Sequence, residues 1–437
     1  MKKIVFTSVM ALAGISLAVA PMLRAQDSIT IKDPAEFNTY QMASTQIDAK
    51  TKASQLEFFL KTYPQSVVKK AVLDSLIDTY QGLGDADNEL SAASRLLQVD
   101  PSNMKATFYS ATIKKGQCAK TQDVQACDDA AALAQKGLTL AKPADTSDSD
   151  WKKLTAGTYP AFHSTIALDY AISKKDFKAA IAEYRAELML YTDDQSKTQG
   201  LSDTLQLAQA YLQPGAKDLV QAVWFYARVW NYAPPAYKAK IEVELERNYK
   251  KFHGSLDGLD ELKAQAAATT FPPGTFVITP AKTPAEQIHD LLASTPNLNA
   301  LALSDKETIL AVGAKEDADK MWEHLKGQVT PVPGIVIEAT ATVIKVAVTK
   351  DSRDAKAADF IVNLKKPLAD KDIPAAGFEF KVPPATALVG TYDSYTQVPA
   401  TDTTAQSAQI VLRDGEIQPA EKKPAAVAHK PAAGHKK

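Results

Sequence analysis

The stretch VVKKAVLDSLIDTYQGLGDADNELSAASRLLQVDPSN, residues 67–103, divides into two helices. Leu73, Leu76, Ile77 and Tyr80 share one face of the first by their three- and four-residue spacing. GLGD at 82–85 breaks that helix, because glycine accepts the tight turn and an aspartate can cap the next helix. Leu90, Ala93, Leu96 and Leu97 form the apolar face of the second helix, and Asp100-Pro101 stops it. The result is an αα-hairpin. Helical periodicity with turns at regular intervals continues over 35–268, which predicts a stack of such hairpins.

This hairpin resembles the tetratricopeptide repeat (TPR), a helix pair of about 34 residues whose pattern ends in an alanine, an aromatic and a proline. Counting from Lys70 puts Leu73, Leu76, Tyr80 and Pro101 at repeat positions, with Glu89 and Ala93 where an alanine and an aromatic are usual. In DFKAAIAEYRAELMLYTDD, 176–194, Ala180 and Tyr184 take those positions and Glu187 replaces the second alanine. QAVWFYARVWNYAPP, 221–235, matches at Ala222, Tyr226 and Pro234, with Ala210-Tyr211 in the helix before it. A degenerate copy covers 104–143, with Ala131 and Pro143 in register. The resemblance spans 52–250. It implies an α-solenoid that holds an extended peptide or partner helix in a concave groove lined by first helices. By register, Asp74, Asp78 and Gln81 face that groove in the first clear copy, and Thr165, Asp169 and Ile172 in the third. The aromatics of 221–235 are expected to pack: Phe225, Tyr226, Val229 and Ala233 on one side, Val223, Ala227 and Trp230 on the other. A helix apolar around most of its circumference is a buried one. Trp224 and Tyr232 are left as the aromatics expected to be partly exposed.

MKKIVFTSVMALAGISLAVAPMLRAQDS has two lysines, an apolar run to Ala20, then Pro21 and small residues. That is the order of a secretory signal peptide, 1–25, cleaved after Ala25. A retained membrane anchor is the competing reading. The sequence has no second long apolar run, so no membrane span is expected in the mature chain. Periplasmic or cell-envelope placement follows. Cys118 and Cys127 are the only cysteines, and in an oxidising compartment they are expected to pair.

The helix of 255–276 runs into Phe-Pro-Pro-Gly and closes a solenoid assigned to 35–268. A helical linker region, 269–327, comes next, with a capping box at Thr283–Glu286. From Gln328 the pattern turns to Val/Ile/Thr-rich strands at 334–351, 359–364, 378–382, 387–398 and 408–417. These predict a small all-β domain over 328–418, a barrel or sandwich. The strand order, with VGTYDSY leading to IVLRDGE, resembles OB-fold-like domains of bacterial envelope proteins. Nucleic acid is not predicted as a partner. Lys345, Arg353, Lys365, Lys366 and Lys381 are interleaved with Glu338, Asp351, Asp354, Asp359 and Glu379, and no aromatic stacking platform accompanies them. The Ala/Pro/Lys/His tail of 419–437 cannot bury a core. The whole is an α+β multidomain chain.

There is no G-x-S-x-G elbow, phosphate-binding loop or H-E-x-x-H. DADNE at 85–89 resembles the start of a calcium loop but lacks its glycine and distal acid. No cofactor or metal is predicted. The expected function is an exported, non-catalytic scaffold or adaptor that binds a protein or peptide partner through the groove. The alternatives are a carbohydrate- or peptide-binding envelope module using the β-domain, or an enzyme whose site carries no recognisable motif.

Overall fold

The computed structural model describes residues 30–401 and 406–420. The predicted signal segment, 1–25, and the tail from 421 onward lie outside the described residues. The chain divides into two compact units between Ala281 and Lys282.

The first unit contains α1 (Pro34–Ser44), α2 (Ala49–Thr62), α3 (Lys69–Leu83), α4 (Ala86–Val99), α5 (Met104–Thr121), α6 (Val124–Thr139) and α7 (Asp148–Asp169). It continues with α8 (Phe177–Leu190), α9 (Asp193–Thr198), α10 (Leu201–Ala210), α11 (Leu219–Tyr232), α12 (Pro235–His253) and α13 (Leu259–Ala268). Consecutive helices pack as hairpins: α1 on α2, α3 on α4, α5 on α6, α7 on α8 and α10 on α11. Their starts are chemically marked. Asp48, Asp85, Asn103, Asp123, Ser147, Asp176 and Asp218 each accept a backbone N–H of the first turn, satisfying a donor that the helix leaves unpaired. Gly84 ends α3 in the left-handed conformation, φ 68°, which only glycine adopts at little cost.

Two apolar clusters run through these hairpins and meet within α7. Phe162 and Ile166 pack with the N-terminal cluster and Ala167 with the C-terminal one. Between α7 and α8 lies a five-residue π-helical turn, Tyr170–Lys174, closed by Lys175 at φ 55°. A disulfide joins Cys118 near the end of α5 to Cys127 in α6. The pair is buried against Leu168 and Ile172.

Helix α11 is the most enclosed element. Every residue from Ala222 to Val229 is buried, Arg228 included. The chain after α13 explains this. It returns over α11, and Phe271, Phe276 and Ile278 add a third layer to the two that a hairpin stack supplies.

The second unit contains α14 (Pro284–Ser294), α15 (Leu303–Val312), α16 (Lys315–Leu325), β1 (Val329–Pro331), β2 (Gly334–Ala339), β3 (Val343–Ala347), α17 (Lys350–Ala355), β4 (Phe360–Leu364), β5 (Glu379–Phe380), β6 (Ala387–Val398) and β7 (Ser407–Gln418). The strands form one mixed sheet in the order β1-β6-β7-β4-β3-β2-β5, antiparallel except for the β4–β7 pair. Alternation sends Val336, Ile344, Val346, Phe360, Val362, Ile410 and Leu412 to one face, where they share a core with Ile309, Leu310, Met321, Trp322 and Leu325. The segment read as a linker, 269–327, is therefore divided. Its first part packs in the helical unit, and α14–α16 join the sheet's core. The β-rich unit is completed by helices because one face of an open sheet has to be covered.

Candidate binding surface of the helical unit

In the third, fourth and fifth hairpins the first helices, α5, α7 and α10, meet along a line of polar groups. Lys115 of α5 donates to the Ser164 hydroxyl of α7, 2.7 Å, and to the Asp203 carboxylate of α10, 3.0 Å. Closer to the N-terminus, Lys105 of α5 sits between two carboxylates of α3, 3.1 Å from Asp74 and 2.6 Å from Asp78. Gln81 stands beside the Tyr109 hydroxyl on the same side. The two places differ in access. Lys115 and Asp203 are largely covered, whereas the side chains of Asp74 and Asp78 are 44% and 58% exposed. The α5–α7–α10 crossing is closed by its own ion pair, and the α3–α5 end is open.

A glutamate lies behind each of these pairs. Glu89 of α4 is 7% exposed, and burial, with Asp78 nearby, raises its pKa to about 7 against the pull of Lys105. Glu187 of α8 is fully buried. Neither of its carboxyl oxygens has a well-formed hydrogen bond, with Asp203 and the Tyr191 hydroxyl beside them. Burial first and Asp203 second push its pKa well above the ordinary glutamate value. Both glutamates occupy positions where the repeat places alanine. The departure is visible in the sequence, and it marks the two spots where a carboxyl has been built into a helix–helix contact.

Asp74, Asp78 and Gln81 lie together on α3, facing α5. Thr165, Asp169 and Ile172 do not join them. Thr165 is buried and donates to the Ala161 carbonyl of its own helix, 2.6 Å. Asp169 is buried against Asp128 of α6, and Ile172 packs on the disulfide. The cause is the π-turn. It adds one residue per turn relative to an α-helix, so a register counted back from α8 arrives one residue late in α7. Ser164, one position before Thr165, is the residue that reaches Lys115. At the turn, Asp128 accepts from Lys174, 2.8 Å, and Ser173, 2.6 Å, and those bonds hold its pKa near 2. Burial raises that of Asp169.

Of the two aromatics expected at the surface, Trp224 is fully buried. Its indole N–H donates to the Thr270 carbonyl, 3.3 Å, and its ring meets Phe276 edge-on at 4.7 Å. The layer formed by 269–281 covers it, and hairpin periodicity carries no sign of that layer. Tyr232 is half-buried, with its hydroxyl on the Ala267 carbonyl, 2.6 Å. Arg228, unremarked in the sequence, is wholly buried. It donates to the Ala266 carbonyl, 3.0 Å, Ser196, 2.8 Å, Thr270, 3.1 Å, and Asp193, 3.1 Å.

No protein-family model matches the chain, and no curated protein matches it. Matching solved structures include a thermophilic TPR protein of Thermus thermophilus, 18% identical over 49% of this chain and 98% of that one, with a TM-score of 0.28. The MamA protein matches at 16% over 47% of this chain and 93% of its own, TM-score 0.32. PilW, a type IV pilus biogenesis factor, matches at 14% over 53% and 99%, TM-score 0.30. The assignment rests on the hairpins themselves: the N-terminal unit is a TPR-like array of antiparallel helix pairs. Among the described residues, no helix is long and apolar enough to cross a membrane.

Proposed function

We propose that the chain is a non-catalytic scaffold that works outside the cytoplasm and holds a protein or peptide partner along its first helices. The observation that carries this reading is the open α3–α5 end. Asp74 and Asp78 each give one oxygen to Lys105 and keep surface exposed to solvent. A basic or amide-rich segment suits such a surface, since ammonium, guanidinium and amide N–H groups donate to carboxylates. The buried residues that shape the hairpins are unavailable to a partner, which leaves the first-helix face for recognition. The disulfide supports an oxidising compartment.

The test is Asp74→Asn with Asp78→Asn, chosen over charge reversal because Lys105 would otherwise face two further cations. The neutral pair should leave the melting curve nearly unchanged, since exposed ion pairs contribute about 0–1 kcal/mol each. It should weaken capture of basic peptides from a synthetic array and remove the salt dependence of that capture. Unchanged capture and salt dependence would exclude this face.

A further inference from the structure

The sheet of the second unit comes back on itself. Strand β1 stands at one end of the strand order and β5 at the other, yet β1 runs through only Val332 and Pro333 into β2, the neighbour of β5. The two edges meet at one cleft of about 300 Å³. Val329, Thr330, Pro331 and Pro333 line it from the β1 side, and Val382, just beyond β5, lines it from the other. Leu303 and Lys306 of α15 and Leu325 of α16 complete the walls, with buried Tyr392 of β6 also lining it. The cleft thus lies where residues from both edges of the sheet come together.

Three features say what fits. The walls are part aliphatic and part polar, with Gln328 and Thr330 beside the aliphatic groups, and two of the aliphatic side chains are held in water: Val329 is 70% exposed and Val382 54%. Covering them removes apolar surface from solvent. A single cation, Lys306, lines the cleft, and among the described residues it makes no ion pair. The β1 edge is a poor template for an added peptide strand. Tyr392 N–H donates to the Gln328 carbonyl, and Val332 N–H donates to the Leu388 carbonyl, so the groups of Val329 and Pro331 point outward. Pro331 has no N–H to offer, which blunts the edge. What remains is a small, amphipathic anion.

We propose that this cleft binds a small carboxylate with an aliphatic body, its chain between Val329, Val382 and Leu325 and its carboxylate on the Lys306 ammonium. The cleft lies at the lower limit of ligand-site volumes and holds about ten water-sized groups. That matches an eight-carbon acid, so octanoate is the probe.

The experiment is isothermal titration of the full chain with octanoate, 1-octanol and octylamine, repeated on Lys306→Met and Val329→Asp. Both residues are accessible enough for the variants to fold. Octanoate should bind once per chain, at least about tenfold tighter than octanol, with octylamine weaker still. Lys306→Met should bring octanoate down to the level of octanol, and Val329→Asp should weaken octanoate by about tenfold. The proposal fails if octanoate and octylamine bind alike, if neither variant changes octanoate binding, or if no heat of binding appears at millimolar octanoate. None of these outcomes bears on the first-helix face.

Discussion

Arg228→Met tests the third layer over α11. The guanidinium is fully buried and bridges three segments: Asp193 and Ser196 of α9, the last turn of α13 at Ala266, and Thr270 beyond it. Methionine keeps much of the volume and removes every donor. Asp193 is half-exposed and can rehydrate. The buried Ser196 hydroxyl keeps its bond to the Asp193 carbonyl, 2.7 Å, but the Ala266 carbonyl cannot rehydrate readily, and an unsatisfied buried group costs about 1–3 kcal/mol. With the other bonds of the guanidinium lost and the cost of burying a cation relieved, the net loss should be about 1–3 kcal/mol. The loss should also be local. With the tie gone, 269–281 should loosen first and expose Trp224, which now donates to the Thr270 carbonyl. Denaturant titration followed by helix circular dichroism and by tryptophan emission should therefore separate into two steps, with emission shifting red before the helices melt. Coincident transitions within about 1 kcal/mol of wild type would refute the reasoning, because the arginine would then be replaceable packing.

Glu89 predicts a pH dependence. Its folded pKa, about 7, lies above the ordinary glutamate value, so the folded state binds the extra proton and stability falls as pH rises between those values. Glu89→Gln should abolish this component. It should match wild type near pH 4 and be more stable by at most about 3 kcal/mol above pH 7 in paired denaturation curves; a difference independent of pH would count against it. At Gly137 of α6, an added Cβ would overlap the ring of fully buried Phe162. Gly137→Ala should destabilise by about 1–3 kcal/mol in a thermal melt despite alanine's better helix propensity, and a stabilised variant would show that the α6–α7 contact gives way.

The hairpins were legible because local chemistry writes them. Glycine at 84, aspartates at 85 and 123 and the three- and four-residue apolar spacing act within a few residues of where they stand. What escaped depends on distance along the chain. Amphipathicity says that α11 is apolar all round, but not that 269–281 will supply the covering side. Ile309, Leu310, Met321, Trp322 and Leu325 are apolar positions in the sequence, yet 269–327 read as linker because the sheet they cover comes later. The π-turn adds a residue without a sequence mark, and it displaced the site assignment in α7 by one position. Asp74, Asp78 and Gln81, upstream of it, stand on the side of α3 that meets α5. The lysines that answer them were not legible, since which residue of α5 meets α3 or α10 depends on how successive hairpins are rotated.

The bond from Lys115 to Asp203 reaches past a whole hairpin, from α5 to α10, and takes in Ser164 of the intervening α7 on the way. In a linear array each hairpin leans only on its neighbours, so cooperativity decays with distance and ends can fray independently. A second-neighbour tie changes that. Opening the α7–α8 hairpin alone would take Ser164 from the ammonium and uncover the Lys115–Asp203 pair and the buried carboxyl of Glu187. The stretch from α5 to α10 should therefore open and close as one unit, and hydrogen exchange in its three first helices should share a single protection level.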